Sequence, residues 1–99
     1  MIGVIVTFRF DDAGFDPGRL QQVATAARGR FEGLPGLRSK TFTIDAAGRR
    51  AVNVYVWDDA DAARAFFSDA AIDGVAQRYG VRPDVTFVEI AELVDNAAR

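Results

Sequence analysis

The spacing of apolar residues changes along this chain, and each change predicts an element. Residues 2–10 are almost continuously apolar or β-branched, which favours a strand covered on both faces. Beyond a short loop, Asp16 has the features of a helix cap and Pro17 those of a first helical residue. Apolar residues then recur at helical spacing up to Leu34, so we expect a helix that glycine and proline at 33–36 end.

The second half of the chain predicts a hairpin, a broken helix and a last strand. Residues 37–45 and 49–57 have the composition of strands, joined by a turn at 46–48 in which Gly48 is available for a positive φ. The helix that follows is interrupted near Ser68. Residues 84–94 alternate between apolar and polar types, which predicts the final strand.

The order of these elements is β-α-β-β-α-β, which favours a single α+β domain over residues 1–99. Right-handed crossovers then give a ferredoxin-like fold, a four-stranded antiparallel sheet with the helices on one face and strands 1 and 3 central. Every strand carries apolar residues on both faces, so the helix-free face would be a large apolar patch. We therefore expect a second copy to cover it, giving a homodimer that forms a dimeric α+β barrel.

Composition narrows the function chiefly by what is missing. Histidine and cysteine are absent, which removes imidazole bases, His-ligated haem or zinc sites and disulfide frameworks. The net charge is −2 and no basic run occurs, so nucleic acid is not an expected partner. The apolar run near the start, Val4 to Val6, is too short for a signal peptide or a membrane span, so we expect a cytoplasmic location and no membrane partner.

The third strand carries the candidate chemistry on one of its faces. Asn53, Tyr55 and Trp57 alternate with three valines, so the polar groups share a face. Asparagine is depleted in strands, so a plain core strand does not explain Asn53. We expect this face to line a pocket under the helices and the valines to face the second copy, although the reverse assignment also fits the pattern.

Three carboxylates, Asp58, Asp59 and Asp61, cluster where the helix after strand 3 begins. Such a cluster is typical of capping and of a favourable interaction with the helix dipole. A paired-carboxylate catalytic site or a Mg²⁺ site is the alternative.

Residues 34–67, LPGLRSKTFTIDAAGRRAVNVYVWDDADAARAFF, resemble the YdhR-like monooxygenases of the antibiotic-biosynthesis-monooxygenase group of dimeric α+β barrels. The stretch PGLRSKTF, the hairpin and the Trp-ending strand carry this resemblance. It implies an enzyme that oxidises an electron-rich aromatic or quinol-like small molecule with O₂ and needs no cofactor and no metal. In better understood members an Asn and a Trp four residues apart line the pocket. Asn53 and Trp57 have that spacing, so the resemblance implies catalytic roles for both.

The remaining candidates would contact the aromatic ligand. Tyr55 and Tyr79 could relay a proton. Phe31 and Phe66 lie on helical stripes, where they suit either the core or the wall of the substrate pocket. Arg38 could clamp an anionic substrate or form an ion pair. With no imidazole, we expect the general base to be a carboxylate, a tyrosinate or water.

Two other functions fit the same scaffold. One is a dimer that binds a small apolar ligand without turnover. The other is an isomerase or cyclase of an enolisable substrate, which would need a carboxylate in the pocket, with Glu89 and Asp58 as candidates.

Overall fold

A computed structural model describes residues 1–98 as a four-stranded antiparallel sheet with three α-helices on one face. The strand order is β2-β3-β1-β4, so the predicted ferredoxin-like arrangement with the first and third strands central is confirmed. In chain order the elements are β1 (Ile2–Arg9), α1 (Pro17–Phe31), β2 (Leu37–Asp45), β3 (Arg50–Trp57), α2 (Ala60–Phe66), α3 (Asp69–Tyr79), β4 (Asp84–Glu89) and a 3₁₀ helix (Asn96–Ala98).

The core lies between the sheet and the helices, and the central strand β1 supplies much of it. Alternate residues of β1 face the helices, and Val4 and Phe8 are fully buried there. Burying a side chain of this kind stabilises the fold by about 1.5–3 kcal/mol. The register pairs Val4 with Tyr55 and Val6 with Asn53, so the polar face of β3 also turns towards the helices.

Helix α1 begins as its sequence predicts. The Asp16 carboxylate accepts a hydrogen bond from the Arg19 N–H at 3.1 Å, and Pro17 occupies the first turn, where its missing N–H is harmless. The helix ends at Phe31, three residues short of Leu34, and Gly33 takes a left-handed φ of 71°.

The hairpin between β2 and β3 differs from the expected turn in one detail. The positive φ, 51°, belongs to Arg49 and not to Gly48. Glycine at position 48 leaves room for the Asp45 carboxylate, because a Cβ there would lie 2.5 Å from it. That carboxylate accepts hydrogen bonds from the Gly48 N–H at 3.0 Å and from the Arg50 guanidinium at 2.7 Å, which lower the pKa of Asp45. Asp45 therefore organises the turn.

The break near Ser68 divides the second helical segment into α2 and α3. The Ser68 hydroxyl accepts a hydrogen bond from the Ala71 N–H at 3.2 Å and so caps α3. Asp59 caps α2 by accepting from the Asp61 N–H at 2.9 Å, which is the capping role that the carboxylate cluster indicates. Within residues 1–98 no helix combines the length and the apolar character needed to cross a membrane.

Strand β4 is shorter than predicted, ending at Glu89 instead of residue 94. The reason lies in its partner, because β1 begins at Ile2, which pairs with Glu89. Beyond that pair the ladder has, among residues 1–98, only one further bond, from the Ile90 N–H to the Met1 carbonyl at 3.4 Å. Alternation in sequence cannot make a strand where no neighbouring strand is present.

The opposite face of the sheet carries no helix, and its side chains are mixed. Apolar residues of β1, β3 and β4 lie there beside Ser39, Thr41 and Thr43 of β2, so β2 is not apolar on both faces as the sequence predicted. Val54 on β3 and Val88 on β4 are 37% and 39% exposed, and Ile5 on β1 is half-buried. No helix of residues 1–98 covers this surface, which we call the open face.

Candidate active site

A cavity of about 290 Å³ lies between the sheet and the helices. Helices α1 and α3 and the hairpin strands β2 and β3 all contribute to its wall. Most of the wall is apolar, and the rings and the amide that line it belong to Phe31, Phe42, Asn53, Tyr55, Phe66 and Tyr79. A wider groove of about 480 Å³ continues from it between α1 and β2 and shares Phe42, Asn53 and Tyr79. Together they offer room for a small aromatic molecule.

Asn53 reaches this cavity from the middle of β3. It is 3% exposed and is the one buried polar residue among residues 1–98. Its side-chain N–H donates to the Tyr79 hydroxyl at 3.2 Å. Tyr79 in turn stacks on Phe8 at 3.8 Å between ring centroids, with an interplanar angle of 9°. The amide and the phenol ring are therefore held in fixed positions at the wall.

Tyr55 is buried beside Asn53 and lines the same cavity. Its ring meets Phe67 edge to face at 4.9 Å and Phe31 at 6.1 Å. Burial, with a smaller contribution from neighbouring Tyr79, raises the pKa of the Tyr55 hydroxyl. A tyrosinate at Tyr55 is therefore unfavourable, which weighs against it as the base.

Trp57 is not brought to the cavity, although its spacing from Asn53 matches the expectation. Its ring is 1% exposed and packs against Tyr55 at 6.3 Å, Phe66 at 5.4 Å and Phe67 at 6.3 Å. Tyr55 and Phe66 thus separate the indole from the cavity that they line. The buried Trp57 Nε1 has no hydrogen-bond partner within residues 1–98.

The other proposed contact residues divide in the same way. Phe31 and Phe66 are half-buried and line the cavity as expected. Arg38 lies in a neighbouring depression of about 240 Å³ on the protein surface. Its Nε donates to the Asp58 carboxylate at 2.8 Å, so the structure gives it the ion pair that the sequence left open.

Sequence reasoning missed Lys40, which the structure places at the centre of the site. Its Nζ lies 3.5 Å from the ring centroid of Phe31, 4.1 Å from that of Phe42 and 4.5 Å from that of Tyr55. Burial, followed by the positive charges of Arg30 and Arg78, lowers the pKa of Lys40 from 10.5 to about 7. Lys40 and Phe42 are two residues apart on β2 and so share a face of the sheet. This spacing was the signal that could have placed Lys40 beside the aromatic rings.

The carboxylates considered for the site lie elsewhere. Asp58 pairs with Arg38, and Glu89 is exposed at the end of β4. No Asp or Glu of residues 1–98 lines the cavity. The same stretch contains no group of three or more carboxylates that could hold a metal ion. The site as it stands is built from rings, one amide and cationic side chains.

No family model and no curated protein matches the sequence. Solved structures do match. The monooxygenase from the gene ActVA-Orf6 of Streptomyces coelicolor, solved with Nanaomycin D, is similar with a TM-score of 0.70 and 21% identity over 97% of this chain and 92% of that chain. A variant of SnoaB, a cofactor-independent oxygenase from Streptomyces nogalater, is similar with a TM-score of 0.67 and 16% identity over 94% and 95% of the two chains.

A third structure, of an antibiotic biosynthesis monooxygenase, has a TM-score of 0.67 and 12% identity over 93% of this chain and all of that chain. At these identities the similarity shows the fold. The chain therefore has the ferredoxin-like α+β fold of the antibiotic biosynthesis monooxygenases. These three structures do not single out the YdhR-like subgroup, which stays a prediction.

Proposed function

We propose that this protein is a monooxygenase that oxidises an electron-rich aromatic or quinol-like small molecule with O₂ and needs no flavin or metal. The observation that carries the proposal is the cavity of about 290 Å³ walled by aromatic rings and one buried amide. Such a wall suits a flat, apolar molecule with a few polar substituents. The similarity of the fold to that of oxygenase structures supports the same function.

The reaction requires the protein chiefly to bind the substrate and to stabilise negative charge. A phenol with a reactive C–H position loses its O–H proton, and the phenolate gives an electron to O₂. Recombination forms a C–O bond at that carbon, and the second oxygen atom leaves as water. The C–H position and the phenolic C–OH thereby become the two carbonyl groups of a quinone. The protein has to exclude water, hold the ring and stabilise the anions that form.

Asn53 and the surrounding rings are suited to these tasks. The side chain of Asn53 makes one hydrogen bond to other described residues, to Tyr79, which leaves its second amide hydrogen for a ligand. A neutral donor held in position stabilises a developing anion, and does so more strongly where the bound substrate excludes water. Phe31 and Phe66 would hold the substrate ring, and the Tyr79 hydroxyl could pass a proton. We assign Trp57 a positioning role, because it packs against Tyr55 and Phe66.

Oxygen uptake with anthrones and hydroquinones tests the function. We expect Asn53→Ala to lower the rate about 100-fold, since one preorganised donor is lost from the site. Gln77→Ala is the matched control, because that amide is exposed on α3 and lines neither the cavity nor the groove. Equal rates for Asn53→Ala and the wild type would remove Asn53 from the reaction. Tight binding of these compounds without oxygen uptake would favour the ligand-binding protein instead.

We also infer that two copies pair through the open face. Val54 and Val88 are exposed there, and Ile5 lies beside them on β1. A second copy would bury this apolar surface and so remove the patch that a monomer would expose. Sedimentation equilibrium measures the mass in solution, and a monomer at all concentrations would contradict the pairing.

A further inference from the structure

The cavity of the proposed site gathers positive charge that no carboxylate neutralises. Arg30 from α1, Lys40 from β2 and Arg78 from α3 line it. None of the three has an ion pair within residues 1–98. Six other arginines of the same stretch each pair with a carboxylate, namely Arg9, Arg28, Arg38, Arg49, Arg50 and Arg82. Since the chain as a whole carries a net charge of −2, this cluster is a local feature that suits an anionic ligand.

Lys40 differs in kind from every other basic side chain of the protein. The chain has twelve basic residues, of which eleven are arginine and Lys40 is the single lysine. A guanidinium does not give up its proton in proteins, whereas a buried amine does. The one basic side chain that can act as a proton acceptor therefore lies in the cavity.

The contacts of Lys40 leave its amine available to a ligand. Within residues 1–98 its Nζ has no carboxylate partner, and it lies over the faces of Phe31, Phe42 and Tyr55. Glu32, which lines the adjacent depression, is held by Arg28 at 3.2 Å. The other titratable and charged groups that line cavities with Lys40 are Arg28 and Arg30 of α1, Arg38 of β2, Tyr55 of β3, and Arg78 and Tyr79 of α3.

We propose that Lys40 is the general base of this site, and that Arg30 and Arg78 hold the phenolate that it generates. The phenolic O–H bond breaks, a bond forms between that hydrogen and Nζ, and the electron pair stays on the phenolic oxygen. No electron reaches O₂ in this step. The proposal rests on the proposed function and narrows its substrate class to aromatics that bind as phenolates.

Two further features fit this role. A general base works best when its pKa lies near the operating pH, and the pKa of Lys40 is lowered to about 7. The ammonium that forms remains over the ring of Phe31, whose face stabilises a cation. The general base is thus assigned to Lys40 and not to a carboxylate, a tyrosinate or water, as the sequence had led us to expect.

Two variants of Lys40 separate its role as a proton acceptor from the effect of its positive charge. Lys40→Arg keeps the positive charge but cannot accept a proton, and Lys40→Met keeps neither. We expect both variants to lower oxygen uptake about 100-fold, because a general base contributes at least that much. Arg64→Met is the control for net charge, since Arg64 is exposed and lines neither the cavity nor the groove.

A coloured ligand then reports whether the phenol is ionised when it is bound in the cavity. Alizarin changes from yellow to red when its phenol ionises and needs no O₂ to do so. We expect the wild type and Lys40→Arg to bind it as the red phenolate at pH 5, where free alizarin is still yellow and neutral, and Lys40→Met to bind it mainly as the neutral phenol. Labelled-lysine NMR follows the one lysine directly, and its signal should titrate near pH 7 in the free protein and be that of an ammonium when alizarin is bound.

The outcomes distinguish this inference from the proposed function. If Lys40→Arg consumed oxygen at the wild-type rate, Lys40 would not be the general base, and the oxygenase proposal would remain intact. Alizarin bound as phenolate by the wild type and by Lys40→Arg, but no oxygen uptake with any hydroquinone, would support the cationic phenolate site and overturn the oxygenase. Alizarin bound as neutral phenol by the wild type would overturn the inference whatever the rate of oxygen uptake.

Discussion

The two faces of the sheet are built from the same strands and differ in what they carry. On the helix side, β3 presents Asn53 and Tyr55, which are each 3% exposed and line a cavity. On the open face the same strand presents Val54, which is 37% exposed. The buried amide and phenol of β3 thus lie on the helix side, whereas the polar side chains of the open face, such as Thr41 and Thr43 beside the valines of β3, are exposed. The apolar residues of the open side have no covering of their own, so the two faces suit two kinds of partner, a small molecule and a second copy.

A charge on the open face gives the largest expected effect. We expect Val54→Lys to weaken self-association at least 100-fold, about 2.7 kcal/mol, because pairing would bury an unpaired ammonium. Sedimentation equilibrium at several protein concentrations measures it. Arg64→Lys, an exposed change on α2, should leave association unaltered. Unchanged association of Val54→Lys would show that the open face is not the interface.

The same truncation on the two faces should have unequal effects on stability. Val4 is fully buried on the helix side, and Val54 is exposed on the other. We expect Val4→Ala to lower the free energy of unfolding by about 2 kcal/mol. Val54→Ala should change it by about 0.5 kcal/mol or less in the monomer. Urea denaturation at low protein concentration makes the comparison, and equal losses would mean that the faces do not differ in packing.

The cavity should give stability a pH dependence that the open face lacks. Unfolded Lys40 has its ordinary pKa of 10.5, while burial and nearby arginines lower the folded pKa to about 7. Below pH 7 both states hold the proton. Between pH 7 and 10.5 the unfolded state holds a proton that the folded state has lost, so this residue makes stability rise with pH.

Urea denaturation of the wild type and Lys40→Met from pH 6 to pH 10 tests this directly. We expect the variant to be the more stable of the two at pH 6 and its advantage to shrink as the pH rises. A constant difference across this range would mean that the amine keeps its ordinary pKa in the folded state.

The smallest effect is expected behind the cavity, at Trp57. Its Nε1 has no partner within residues 1–98, so Trp57→Phe loses no observed hydrogen bond while keeping an aromatic ring in the cluster. The gain from removing an unpaired buried donor and the loss of packing volume are of similar size. We expect a change in unfolding free energy within about 1 kcal/mol, and oxygen uptake within about threefold of the wild type. A loss of rate as large as that of Asn53→Ala would mean that Trp57 takes part directly in the reaction.

Local patterns predicted the helix caps and the division of β3 into two faces. Asp16 and Asp59 cap helices through backbone N–H groups three and two residues away, so the sequence contains both partners of each contact. The pleat alternates side chains whatever the rest of the fold does, which placed Asn53 and Tyr55 together.

Features that depend on distant partners could not be predicted in this way. The end of β4 is set by where β1 begins, at Ile2. The pKa of Lys40 is lowered first by its burial and then by Arg30 and Arg78, which lie on two different helices. Four residues along a strand span about 13 Å, so the spacing of Asn53 and Trp57 did not place both at one cavity.

The stack of Tyr79 on Phe8 joins the wall of the cavity to the most protected strand of the protein. A molecule bound against this phenol ring occupies a site that only the folded chain provides. Occupancy should therefore raise the melting temperature in proportion to the logarithm of ligand concentration. Screening phenols and other aromatic acids by their effect on heat denaturation would then rank candidate substrates before any turnover assay is available.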